Sequence, residues 1–183
     1  MKSSEIITPE GNIAQYTIDN NNELNFIFSH ANGFNGRVYN SLLHKINNNY
    51  NIHTYDMRGH GDTTLKANPN NLKSWYSFRD DLLSVIENFK TPVVLSGHSM
   101  GATASLLVAL HKPELVKKLI LIEPVILPLR YIISYRLLQF LKLAHFVSPL
   151  ARNAMIRRNG WDTKEEAIEY FRDKKLFSKT SDE

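Results

Sequence analysis

Short apolar runs alternate with amphipathic stretches over the first two thirds of the chain, and the alternation stops near Pro128. Glu5 to Thr8 and Ile13 to Ile18 read as strands, and Gly11-Asn12 between them predicts an antiparallel hairpin. Leu24 to Ser29 is a further apolar run, ending at His30-Ala31-Asn32-Gly33. Val38 to Ile46 puts Leu42, Leu43 and Ile46 on one helical face. Asn51 to Tyr55 is again strand-like and runs into Asp56-Met57-Arg58-Gly59-His60-Gly61.

Between Ser74 and Phe89 the apolar positions Trp75, Phe78, Leu82, Leu83 and Ile86 recur at three and four residues. That spacing predicts an amphipathic helix, with Ser74 as its N-cap. Pro92 to Leu95 is a brief buried strand, Met100 to His111 a helix stopped by Pro113, and Lys118 to Ile122 another apolar strand. Strands apolar on both faces, alternating with helices, predict a mostly parallel sheet covered on both sides. Beyond Pro128 the period is helical only: Arg130 to Phe146, Pro149 to Arg158, and Thr163 to Phe177, the last opened by a Thr163/Glu166 capping box. The expected division is therefore residues 1–127 as an α/β core and 128–183 as a helical segment. There is no internal repeat.

Composition narrows the function classes. The chain has 183 residues, 43% of them hydrophobic, which suffices for a substantial core. A formal charge of +4 comes from scattered Lys and Arg, without the basic stripe and interleaved aromatics of a nucleic-acid binder. With no cysteine, thiolate catalysis, disulfides and Cys-ligated metals are excluded. The start has no apolar signal-peptide core, and the most apolar stretch, Leu119 to Ile133, contains Glu123, Pro124, Pro128 and Arg130. It falls short of the ~20 apolar residues that a membrane span needs. The expectation is a soluble, cytoplasmic protein without membrane contact. The Asn runs, Asn20 to Asn22 and Asn47 to Asn49, read as turns, where Asn tolerates left-handed backbone angles.

Gly97-His98-Ser99-Met100-Gly101 lies between an apolar strand and a helix. A serine at such a turn takes strained angles that lift its hydroxyl above the sheet edge, and glycine is needed two positions to either side. Ala102 and Ala104 keep the following helix slim where it approaches the sheet. The five-residue pattern alone also fits an ordinary strand-to-helix turn; its placement carries the weight.

With His30-Ala31-Asn32-Gly33-Phe34 and Asp56-Met57-Arg58-Gly59-His60-Gly61, this turn completes a set of segments whose order and spacing resemble the α/β-hydrolase family. The likeness covers roughly Ile13 to Pro124, and the later helices resemble, more loosely, the cap that many members insert after the sixth strand. The resemblance implies Ser99 as nucleophile toward an acyl carbonyl. It implies backbone N–H groups of Met100 and of Phe34, with Gly33 in the family's His-Gly-x turn, as the oxyanion hole. His30 is then the histidine that stabilises this loop, Gly97 and Gly101 are the elbow glycines, and His98 packs beneath the elbow. The Asp56, Arg58 and His60 loop is read as mainly structural. A small acyl or ester substrate is implied, with no cofactor and no metal.

The serine needs a histidine to take its proton and a carboxylate to orient that histidine, in the chain order Ser, acid, His. After Ser99 the histidines are His111 and His145, and neither matches the family's base. Glu123 could serve as acid only in an unusual variant. The chain thus reads as interrupted before its last strands, with Lys118 to Ile122 left as an exposed apolar edge and oligomeric state unreadable. The leading expectation is a serine hydrolase that is inactive as this chain; the alternative is a non-catalytic relic or binding module.

Overall fold

The structure is a computed structural model, and it describes residues 1–46, 49–68, 72, 74–141 and 160–174. The chain divides into two compact units, Met1–Ile126 and Leu127–Glu183.

The first unit is a six-stranded sheet: β1 (Lys2–Thr8), β2 (Gly11–Ile18), β3 (Asn25–Ser29), β4 (Asn51–Tyr55), β5 (Val93–His98) and β6 (Val116–Ile122), in the order β1-β2-β4-β3-β5-β6. β1 and β2 join antiparallel; β4, β3, β5 and β6 run parallel. The hairpin turns at Pro9-Glu10, not at Gly11-Asn12, because Thr8 pairs directly with Gly11. Gly11 is instead the first residue of β2, where Thr64 Oγ1 stands 2.8 Å from the place of a Cβ.

Period-two alternation sorts the core. Ile27 of β3 and Val93 and Leu95 of β5 face α2 (Tyr76–Ile86) and α3 (Met100–His111), packing with Phe78, Leu82, Val85, Ala104 and Val108. Phe26, Phe28 and Val94 point the other way, with Leu43 of the short α1 (Asn40–Leu43) and with Ile52. The parallel strands are thus apolar on both faces, as expected of a covered sheet. β6 forms the outer edge, and its Ile120 and Ile122 are each 40% exposed.

Several boundaries moved. The helix expected from Val38 begins as a 3₁₀ turn, Gly36–Tyr39, capped by Asn35 Oδ1 accepting from the Val38 N–H. α2 starts at Tyr76 with Trp75 as N-cap, although the Ser74 hydroxyl still accepts from the Tyr76 N–H at 3.3 Å. Asn21, at φ 58°, holds the left-handed turn of the first Asn run, and Asn51 Oδ1 accepts from the Asn20 and Asn22 N–H groups. Asn47 and Asn48 lie outside the described residues.

In the second unit, α4 (Leu129–Phe140) and α5 (Lys164–Arg172) are described; the helix expected over Pro149 to Arg158 is not among the described residues. Thr163 Oγ1 accepts from the Glu166 N–H at 3.2 Å, while Glu166 Oε2 accepts from the Asp162 N–H. No helix of the described residues is long and apolar enough to cross a membrane.

Candidate active site

β5 ends and α3 begins across a single residue, Ser99, at φ 51° and ψ −111°. A non-glycine residue there stores roughly 1–3 kcal/mol of backbone strain, which persists only where the surroundings over-determine it. They do. The Ser99 N–H donates to the Ile122 carbonyl of β6 at 2.9 Å, and the Ser99 carbonyl accepts from the Thr103 N–H at 3.1 Å. Thr103 Oγ1 also accepts from the Val125 N–H at 2.9 Å, tying the turn to the chain leaving β6.

The flanking glycines are required by space. A Cβ on Gly97 would stand 2.6 Å from Ala102 N, and one on Gly101 would overlap the Ser29 carbonyl group and stand 2.6 Å from His30 O. Ala102 and Ala104 are fully buried. The Ser99 side chain makes no capping bond, and among the described residues its hydroxyl has no protein partner. Met100 opens α3, so its N–H belongs to the first turn, where the helix supplies no carbonyl partner and the dipole favours negative charge.

The loop after β3 is fixed by two histidines. Buried His30 donates from Nδ1 to the Ala31 carbonyl at 2.8 Å and accepts the Met57 N–H on Nε2 at 2.9 Å. Burial pulls its pKa from 6.5 down to about 4. His60 donates from Nδ1 to the Arg58 carbonyl, leaving Nε2 to accept the Gly33 N–H at 3.2 Å. Gly33, at φ 79°, supplies the left-handed position of a turn closed by the Phe34 N–H on the Ala31 carbonyl.

That closure bears on one expectation. The Phe34 N–H, read from the sequence as an oxyanion donor, is spent inside the loop. The turn starts at Ala31, directly after His30, and not at Gly33. Of the N–H groups from Ala31 to Phe34, the other bonded ones go to Tyr39 Oη and His60, and that of Asn32 has no protein partner among the described residues.

Asp56 is a buried hub. Its carboxylate accepts from the Tyr16 hydroxyl and the Gly36 and Asp62 N–H groups, each at 2.8 Å. Arg58 grips Asp81 of α2 through two bonds of 2.7 Å and reaches Glu10 at 3.2 Å. Burial, the Asp56 hydrogen bond and its charge all raise the Tyr16 pKa. These contacts tie the chain leaving β4 to Tyr16 of β2 and Asp81 of α2.

No described histidine hydrogen-bonds the Ser99 hydroxyl. His98 Nδ1 pairs with Tyr39 Oη at 2.8 Å, and its Nε2 faces Glu123 Oε2 at 3.7 Å. His111 closes α3 at its far end, about 18 Å away by helical rise. Glu123 has φ 48° and a side chain 84% exposed. His145 lies outside the described residues. Tyr39 escaped sequence reading although it shares a helical face with Leu42, Leu43 and Ile46, because its hydroxyl contacts to Ala31 and His98 leave no trace in that period.

The family profile of serine aminopeptidase, S33, matches residues 24–180. The chain belongs to this hydrolase family. The S33-family chain also resembles solved α/β-hydrolase structures. One is a hypothetical protein from Pseudomonas aeruginosa PAO1, at TM-score 0.70 and 22% identity, over 94% of this chain and 60% of that one. Another is the thioesterase domain of the curacin biosynthetic pathway, at TM-score 0.61 and 21% identity, covering 74% and 52%. The N-acyl homoserine lactonase AidH follows at TM-score 0.60 and 21% identity, covering 68% and 45%. In sequence, the sn-1-specific diacylglycerol lipase ABHD11 of Mus musculus is 32% identical over 71 residues, 38% of this chain and 22% of that one. The chain thus spans less than two thirds of the length of each of these relatives.

Proposed function

We propose that this chain carries the nucleophile of a serine hydrolase acting on an ester or related acyl compound, with Ser99 as that nucleophile. The observation that carries the reading is the strained turn: a serine at φ 51°, locked by Gly97, Gly101 and the β6 end, with an uncommitted hydroxyl at a helix N-terminus. Attack by Ser99 Oγ on the acyl carbonyl would move negative charge onto the carbonyl oxygen. The N–H groups of Met100 and Asn32 are our candidates to receive it, with Asn32 taking the place first given to Phe34. Release of the leaving group would form an acyl-enzyme, and water would free the acid. Relatives described as a lipase, a thioesterase and a lactonase all cleave acyl compounds, which supports this substrate class. We read residues 128–183 as a cap or lid segment.

The Ser99 proton must leave as the bond forms, and no described residue hydrogen-bonds the hydroxyl to accept it. We therefore expect the 183-residue chain by itself not to turn over. The same observation favours a second reading, a non-catalytic binding module. A fluorophosphonate probe applied to the protein from its own source separates the two. Label mapped to the Ser99 peptide supports the hydrolase; an unlabelled Ser99 beside a labelled control hydrolase rejects it. Ester turnover by the 183-residue chain, lost in Ser99→Ala, would reject the expected inactivity.

A further inference from the structure

One side chain joins the loop after β3 to the turn at Ser99 while belonging to neither. Tyr39 ends the 3₁₀ turn and is half-buried. Its ring packs on Phe28, with centroids 4.6 Å apart, and meets Phe34 and His98 edge-on at 6.0 and 6.1 Å. Its hydroxyl oxygen lies 3.2 Å from Ala31 N and 2.8 Å from His98 Nδ1.

Proton accounting fixes the direction of each bond. The Ala31 N–H can only donate, so the Tyr39 oxygen accepts it. The single Tyr39 proton then goes to His98 Nδ1, its remaining neighbour among the described residues. The reverse arrangement, with Nδ1–H donating, would leave a partly buried O–H without an acceptor. It would also turn a bare Nε2 lone pair toward the Glu123 carboxylate. His98 is thereby held with its proton on Nε2. His30, His44 and His60 each set Nδ1 against a backbone carbonyl, which holds their proton on Nδ1. His98 differs from them in tautomer.

We propose that Tyr39 is a positioning residue of the Ser99 site: its hydroxyl ties Ala31 of the oxyanion loop to His98 of the nucleophile turn and sets the His98 tautomer. The role rests on the reading of Ser99 as the reacting residue. Asn32 follows Ala31 directly, so the tie fixes the His30–Ala31 peptide, one before the peptide that carries the candidate oxyanion donor. A donor displaced by about an ångström from the developing charge loses much of its effect.

Tyr39→Phe removes the hydroxyl and keeps the ring packing. In ¹⁵N spectra of the histidine rings of the 183-residue chain, His98 is expected as the Nε2–H tautomer, its signals assigned by their loss in His98→Asn. In Tyr39→Phe the Nδ1 resonance should shift as its hydrogen bond is lost, and the Ala31 amide should exchange roughly tenfold faster. His98→Asn itself presents Oδ1 near the place of Nδ1 and should keep the Ala31 amide protected. In the protein from its own source, Tyr39→Phe should slow fluorophosphonate labelling of Ser99 about tenfold. An Nδ1–H tautomer in the wild type, or an unchanged labelling rate in Tyr39→Phe, overturns this proposal alone. No label on wild-type Ser99 overturns the reading of the site, and the positioning role with it.

Discussion

Gly101 lies directly against the main chain of Ser29, so closely that a single added methyl would overlap the Ser29 carbonyl group. The first turn of α3 thereby packs backbone to backbone on the end of β3. This contact sets the distance between the Ser99 turn and the loop that begins at His30. A side chain at Gly101 would drive apart the elements that the candidate site needs together.

Gly101→Ala should therefore cost stability, by roughly 2–4 kcal/mol, as overpacking against rigid backbone does. Urea denaturation reads it as a lower midpoint at unchanged slope. Gly160→Ala is the control, because a Cβ there meets nothing within 4 Å. Its midpoint should stay within about 0.5 kcal/mol of wild type. Equal effects at the two positions would mean that the close approach relaxes at little cost.

Ser99→Gly should act in the opposite sense. Glycine adopts φ 51° without the Cβ penalty, so the strain held at Ser99 is released. The expected gain is about 1 kcal/mol, reduced by the extra freedom that glycine gives the unfolded chain. Thermal unfolding of Ser99→Gly beside Ser99→Ala measures it, since alanine keeps the strain and removes only the hydroxyl. If Ser99→Gly is less stable than Ser99→Ala by the ordinary glycine penalty of about 0.4–1 kcal/mol, the backbone is not strained at this residue.

Local pattern and long-range contact were legible to different degrees. β4 and α3 match the sequence reading residue for residue, because each is bounded by its own chemistry: Asp56 beyond one, Ser99 and Pro113 around the other. The hairpin was misplaced because Gly11 signals a turn locally, whereas its bare Cα is needed against Thr64, far along the chain. Phe34 was chosen by analogy of spacing; which N–H a loop spends on itself depends on where His60 and Tyr39 arrive from elsewhere. The elbow was readable because its glycines and serine are adjacent in sequence, and the Asp56 hub was readable only as a group of polar residues.

Asp56→Asn should be costly despite its near-identical shape. The carboxylate accepts three hydrogen bonds in a fully buried position, and an amide turns one of those acceptors into a donor. A donor facing a donor in a dry site is expected to cost about 2–4 kcal/mol. Tyr16→Phe removes one of the three donors and should cost about 1 kcal/mol in the wild type. In the Asp56→Asn background it should cost less, because the partner is already compromised. A double-mutant cycle with additive effects would show that Tyr16 and Asp56 do not share one network.

Stability should also fall as the solution is acidified, through His30. The unfolded chain protonates this ring near its ordinary 6.5, and burial holds the folded value at about 4. Between these values the unfolded state binds more protons than the folded one, so folding stability rises with pH across that window. The contribution is fully present above pH 6.5, is lost progressively on acidification, and levels off below about 4. At 1.36 kcal/mol per unit, it amounts to about 3 kcal/mol. His53, also lowered to about 4 by burial, adds a similar slope, so each histidine must be separated by substitution. His30→Gln should be less stable than wild type at pH 7, having lost the bonds to Ala31 and Met57, yet its midpoint should decline less steeply from pH 7 to 4.5. Parallel declines in the two proteins would mean that His30 titrates alike in the folded and unfolded chains.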